Sequence, residues 1–262
     1  APFSYKFTPF IKLWMRFPPE YDRIKKSTTG RRGEGEECSP QRKNCILRLQ
    51  NGGNMKITVR EEEERDYRRS EEIIREAFSY PGRVERGGIG CPYEHWMVHE
   101  LRERDGAGIR LVAEADGVPA GDVACSRAQI LVGDTDALPV VNIGPIGVLP
   151  EYQRTGIGKA LFHAVLERAA EDGWGAVMFF GRPEYCPQLG FVEAGTYGVS
   201  DRFGEISPAF LCRELKEGYL AAARGGRFFD SDIYDERRHR DEVRAFDKTF
   251  ERKAERETGG RP

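Results

Sequence analysis

Residues 143–148 (IGPIGV) set a proline inside an apolar, strand-forming run. Proline has no amide to give to a ladder, and within sheets it sits at an edge or a bulge. With Gly144 before it, Pro145 predicts a kinked strand that splays from one neighbour. The backbone groups of Ile146, Gly147 and Val148 are then free to bond a ligand. The run leads through Gln153-Arg154-Thr155-Gly156-Ile157-Gly158-Lys159 into a helical pattern. Ile157, Leu161, Val165 and Ala169 recur at intervals of four, and Gly173 is the stop. Gly156 and Gly158 let the backbone close on an anion. The first amides of the helix have no internal partner and point at that anion, and the helix dipole has the right sign. Arg154 and Lys159 add positive charge. Such a loop suits a pyrophosphate, although it is too short for a P-loop and lacks the third glycine of the dinucleotide fingerprint. A bare G-x-G also fits a tight turn at a helix start; the kinked strand before it and the strand after the helix weigh against that reading.

Around this centre the hydrophobic period predicts one α/β sandwich. Residues 55–60 (MKITVR) alternate apolar and polar side chains, as a half-buried strand does. A helix follows from about Asp66, with Tyr67, Ile73, Ile74, Ala77 and Phe78 as its apolar positions, and a second helix covers 93–104. The acidic residues Glu61 to Glu64 suit the dipole of the first helix and are expected to be solvated. Strands at 109–115 and 118–128 are joined by Asp116-Gly117, a type I′ hairpin pair. Further strands cover 140–148, 176–180, 191–194 and 209–214. An antiparallel front half with a βαβ crossover behind it defines the class.

No apolar run approaches the ~18 residues that a membrane span needs, and residues 1–17 lack the unbroken apolar stretch of a secretory signal. A cytoplasmic chain with no membrane partner is expected. The six cysteines are scattered without framework spacing and are expected to be reduced. Charge is uneven, since residues 1–54 hold eleven Lys/Arg against five Asp/Glu. A basic extension can bind nucleic acid, but no groove-reading motif accompanies it, and no nucleic-acid partner is expected. Its polar, Gly-rich segment 27–40 (STTGRRGEGEECSP) fits disorder. Periodicity begins abruptly at Met55, behind Gly52-Gly53, whose codons begin with GG as a ribosome-binding sequence does. Met55 is therefore the expected natural start. The expected division is an extension at 1–54 that is disordered or not native to the fold, an α/β domain at 55–215 and a C-terminal extension at 216–262.

At Gln153 to Gly158, followed by Leu189-Gly190-Phe191, the sequence resembles the GNAT superfamily of N-acetyltransferases. The first stretch matches the family's cofactor motif, [QR]-x-x-G-x-[GA], and the second its LGF. Within the family, GPIGVLPEYQRTGIGKAL is most similar to the YhbS-type acetyltransferases. The resemblance extends over about 55–215, and residues 226–250 resemble an extension that some of those proteins carry. It implies the GNAT fold, an α/β architecture with a mixed, mostly antiparallel sheet, a V-shaped splay between the fourth and fifth strands (140–148 and 176–180), and helices on both faces. It implies acetyl-CoA as co-substrate, with no metal, held by Ile146, Gly147, Val148 and by Gln153, Arg154, Thr155, Gly156, Ile157, Gly158 and Lys159. A primary amine of a small molecule or a protein would attack the thioester directly in a ternary complex. Backbone amides nearest Val148 would stabilise the oxyanion, and a hydroxyl, usually of a Tyr, would protonate the departing thiolate.

The sequence departs from its family at that hydroxyl. The Tyr normally lies four residues before the Gly of LGF; here Cys186 holds that place, with Tyr185 beside it. A thiol can donate a proton, and it serves equally well as a small apolar residue. Tyr185 and Cys186 are the candidate proton donors. If neither acts, the chain is a CoA-binding sensor or scaffold with weakened catalysis, the second reading. His95 and His99 have the spacing of a metal pair, but Trp96 stands where zinc hydrolases place a glutamate. One of the two histidines is expected to border the acceptor cleft; Glu94 and Glu100 are candidate bases. A homodimer is left open, and the acceptor loops are expected at 79–95 and 195–208.

Overall fold

Strand β2 (Lys56–Glu61) buries Ile57 and Val59 while Lys56 stays exposed, the alternation of a strand with one face on a core. The computed structural model describes residues 45–50 (backbone), 55–79, 91–105, 108–133, 136–181 and 187–250, all within one unit, 41–262. The remaining strands are β1 (Cys45–Gln50), β3 (Arg110–Ala115), β4 (Val118–Val132), β5 (Asp136–Val148), β6 (Ala176–Phe180), β7 (Val192–Glu193), β8 (Phe210–Glu214) and β9 (Arg227–Phe229). Their order in the sheet is β1-β2-β3-β4-β5-β6-β8-β7, with β9 beside β4. All described pairings between strands are antiparallel except β5 with β6. The β3–β4 turn has φ of 50° at Asp116 and 85° at Gly117, the two positive values that a type I′ turn demands.

The described residues form four helices, α1 (Tyr67–Phe78), α2 (Glu94–Arg104), α3 (Ile157–Glu171) and α4 (Arg240–Asp247), the last packed on α2. Two glycines show how closely α1 and α3 sit against the sheet. A Cβ on Gly147 of β5 would lie 2.8 Å from Ile74 Cδ1 and 2.9 Å from Ala77 Cβ, both on α1. A Cβ on Gly121 of β4 would lie 2.7 Å from Ile157 Cγ2 and 3.1 Å from Leu161 Cδ1, both on α3. Bare backbone at these points lets α1 and α3 settle directly against the strands.

Three expectations are corrected. The sheet reaches upstream of Met55, because β1 pairs with β2 from Cys45↔Arg60 to Gln50↔Lys56. Its alternation of Cys45, Leu47 and Leu49 with polar Arg48 and Gln50 is a short strand signal inside the segment expected to lie outside the fold. The acidic stretch before α1 is not uniformly solvated: the Glu62 side chain is 2 % exposed and pairs with Arg102 at 2.7 Å. A carboxylate this buried is held by its guanidinium partner rather than by a helix dipole. The C-terminal extension is built into the fold, since Phe228 of β9 is buried and β9 pairs with Gln129 to Leu131 of β4.

Candidate functional site

The sequence forces β5 apart from both neighbours at one place. Along β4, Val123 pairs with Ile146 and Cys125 with Ile143, so Ala124 faces two residues, Gly144 and Pro145. Two residues against one is a bulge, which bends the strand. On its other edge β5 pairs with β6 only at Val141↔Val177 and Asn142↔Met178, although both strands continue. Beyond Asn142 the two parallel strands part, giving the predicted splay. Gly144 adopts φ of 134°, a conformation favouring glycine.

The carbonyl freed at the bulge is taken by a residue from the far end of the chain. Tyr234 donates its hydroxyl to Gly144 O at 2.7 Å. Ser126 Oγ lies 3.0 Å from the same phenol and, with that proton committed to Gly144, is the donor to it. Burial pushes the Tyr234 phenol above its ordinary value, so it stays protonated across the neutral range.

From Val148 the chain makes a 3-10 turn, Pro150–Tyr152, and reaches α3 through the expected loop. Arg154 has φ of 66° and Gly156, the residue capping α3, φ of 98°. Gly156 has no side chain to cap the helix, and the first intrahelical bond runs from Ala160 N to Gly156 O. The amides of Ile157, Gly158 and Lys159 consequently have no carbonyl one turn back and face outward. Ile157 itself is fully buried, its side chain towards Gly121, so the helix start is open at Gly158 and Lys159. Thr155 Oγ1 donates to Tyr152 O at 2.6 Å and fixes the loop, while Gln153 Nε2 donates to Val148 O at 3.2 Å. Arg154 and Lys159 are exposed beside it.

A cavity of about 280 Å³ is lined by Ala77, Phe78, Ile146, Gly147, Val148, Gln153, Gly158 and Phe162. The structure thus brings together five of the ten residues expected to hold the cofactor, with the other five in the adjoining loop and helix start. Phe78 and Ile146 also line a second, larger cavity of about 520 Å³. That cavity opens where β5 and β6 part, between α2, residues 201–203 and the C-terminal segment 228–237. The two cavities therefore share Phe78 and Ile146 as walls. Among the described residues no group of three His, Cys, Asp or Glu is placed to hold a metal ion. No helix among them is long and apolar enough to cross a membrane.

The other candidates fall as follows. Tyr185 and Cys186 lie outside the described residues. Glu94 lines the larger cavity. Glu100 pairs with Arg104 at 2.7 Å and does not line it. Neither histidine borders it, which corrects the expectation. His95 is fully buried, packed on Phe246 and Phe250 with Nε2 3.3 Å from Asp247 Oδ1. His99 Nδ1 lies 3.1 Å from Glu71 Oε1. Helix α4 covers this face of α2, a docking that the histidine spacing gives no hint of. Asn142, Arg202 and Asp230 line the cavity and were not singled out from sequence. Asp230 follows two phenylalanines in an unpatterned stretch; only that Phe228-Phe229 pair hinted at a buried strand.

Residues 64–192 match the acetyltransferase (GNAT) family. The uncharacterized N-acetyltransferase YhbS of Escherichia coli (strain K12) is 29% identical over 130 residues, 49% of this chain and 76% of that protein. The uncharacterized N-acetyltransferase YjhQ of the same strain is 30% identical over 110 residues, 41% of this chain and 60% of that protein. The crystal structure of YhbS from Escherichia coli in complex with CoA matches with a TM-score of 0.59 at 25% identity, covering 68% of this chain and 92% of that one.

Proposed function

Because residues 64–192 form a GNAT acetyltransferase domain homologous to YhbS-type proteins, we propose that this chain moves the acetyl group of acetyl-CoA to a primary amine by direct attack in a ternary complex. The observation that carries the reading is the parting of β5 from β6 after Asn142, directly before an uncapped helix start. The pyrophosphate would sit on the amides of Ile157, Gly158 and Lys159, with the Arg154 and Lys159 charges beside it. The pantetheine arm would run along Ile146, Gly147 and Val148 in the smaller cavity. Its thioester would then reach the larger cavity by the shared walls, Ile146 and Phe78.

The amine must lose a proton before its lone pair attacks the carbonyl carbon. Glu94, on the cavity wall, is the candidate to receive it. Charge develops on the carbonyl oxygen, and the backbone amides at the free edge of β5 are the donors that would stabilise it. As the C–S bond breaks, the thiolate takes a proton from Tyr185 or Cys186.

Gly156→Asp puts a side chain and a negative charge where a phosphate must approach, at a φ of 98° that disfavours any Cβ. Calorimetry should show loss of CoA binding in a chain that still folds, its stability lowered by no more than the ~1–2 kcal/mol of that backbone strain. Unchanged CoA affinity in this variant removes the basis of the reading. Release of free CoA from acetyl-CoA with a panel of amines tests the transfer itself; binding without release by any amine would favour the sensor or scaffold instead.

A further inference from the structure

The larger cavity has a polar floor set in an aromatic wall. Asn142, the last residue of β5 to pair with β6, is 3 % exposed, and Asp230, just after β9, is 9 % exposed. Asn142 Nδ2 donates to Asp230 Oδ2 at 3.5 Å, which leaves Asn142 Oδ1 a buried acceptor without a partner. Buried polar groups are nearly always satisfied, so an orphan on a cavity floor marks where a ligand donor belongs. Arg202 pairs with the other oxygen of Asp230. Five carboxylates line the cavity, Asp230 and Glu94 among them, against two guanidinium groups, Arg202 and Arg237. The lining carboxylates thus outnumber the lining guanidinium groups. The wall includes Phe180, 48 % exposed although stacked on Phe210, and Phe203, 68 % exposed. Large aromatic faces left open near a buried carboxylate suit hydrocarbon carrying positive charge.

We propose that Asn142 and Asp230 form a subsite for an ammonium group, and that the acceptor is an aliphatic di- or polyamine. Its far ammonium sits on this subsite while its near amine reacts at Ile146. The reacting end rests on the acetyltransferase reading above; the subsite does not. An ammonium has three N–H donors and a full charge, which match Asn142 Oδ1 and the carboxylate of Asp230. A hydroxyl would bring one donor and no charge, and a carboxylate would be repelled. A single amine cannot serve both ends. Ile146 lines both cavities and Asn142 only the larger one, and they stand four residues apart on β5. That is about 13 Å at ~3.3 Å per residue, less whatever the bulge takes up. Two nitrogens joined by several carbons bridge it, with the carbons against the aromatic wall. The recognising carboxylate lies outside residues 64–192, in the C-terminal segment that closes the larger cavity.

The test is calorimetry on the full chain loaded with CoA, which cannot donate an acetyl group. The probes are 1,8-diaminooctane, spermidine, 1-aminooctane and 1,8-octanediol. The diamine and spermidine should bind at least about tenfold more tightly than the monoamine, and the diol should not bind measurably. Asp230→Asn and Asn142→Leu should each erase most of that preference while leaving CoA affinity as it was. Equal binding of diamine and monoamine, or a preference that survives Asp230→Asn, overturns the proposal. Should Asp230→Asn fail to fold, the four probes on the unaltered chain decide the matter alone. Diamine preference without any CoA release would leave the subsite standing and defeat the transferase reading. CoA release with other amines and no diamine preference would do the reverse.

Discussion

Tyr234→Phe removes one oxygen atom and nothing else from the centre of the site. That hydroxyl donates to Gly144 O at 2.7 Å and lies 3.0 Å from Ser126 Oγ, at the point where the β4–β5 register slips. Without it the Gly144 carbonyl and the Ser126 hydroxyl both lose a partner inside the protein. Leaving a buried polar group unsatisfied costs about 1–3 kcal/mol. In a domain of this size each kcal/mol lowers the melting temperature by roughly 2–4 °C, so a fall of roughly 2–12 °C is expected by calorimetric scanning. Ser126→Ala removes one arm of the same network, so the double variant should lose less than the sum of the two single losses. A Tyr234→Phe protein melting within about 1 °C of the parent, or strictly additive losses, would refute the view that this hydroxyl holds the bulge.

Burial pushes the Asp247 carboxyl up, but the bonds from His95 and Arg75 outweigh it and bring the group to about 2. A folded value below the unfolded one means stability present above pH ~4 and lost as pH falls towards 2, worth about 2 kcal/mol. Asp247→Asn should therefore destabilise at pH 7 and make little difference near pH 2 in denaturant titrations; an equal deficit at both would assign the loss to packing instead. Tyr185→Phe or Cys186→Ala should slow transfer by about tenfold or more without weakening CoA binding. If turnover and its alkaline limb stay unchanged in both, the thiolate leaves without help from this turn. Removal of residues 1–54 takes away β1 and opens the outer edge of β2, so the melting temperature should fall; CoA affinity should hold, because β1 and β5 are separated by three strands. Lost CoA affinity would show that the segment matters beyond the sheet edge.

Where a residue type itself restricts the backbone, the sequence was sufficient. Pro145 cannot donate to a ladder, and the bulge lies at Gly144-Pro145. Asp116-Gly117 accepts two positive φ angles and makes the hairpin turn. Gly156 accepts φ of 98° and opens α3. The period of four in α3 and the period of two in β2 likewise followed from which side chains must leave water. The splay, the loop and the βαβ crossover were legible for that reason.

The larger cavity was decided elsewhere. Asn142 meets Asp230 across 88 positions of the chain, and Gly144 meets Tyr234 across 90. Strand β9 has three residues and α4 only eight, too few for either period to announce itself. His95 looked free to face a cleft until α4 covered it, and Glu62 looked solvated until Arg102 closed on it. A dihedral preference belongs to one residue and can be read from its name. A buried polar contact belongs to two residues whose separation is bridged only when the whole chain has packed, and tertiary structure alone decided which carboxylates line the larger cavity.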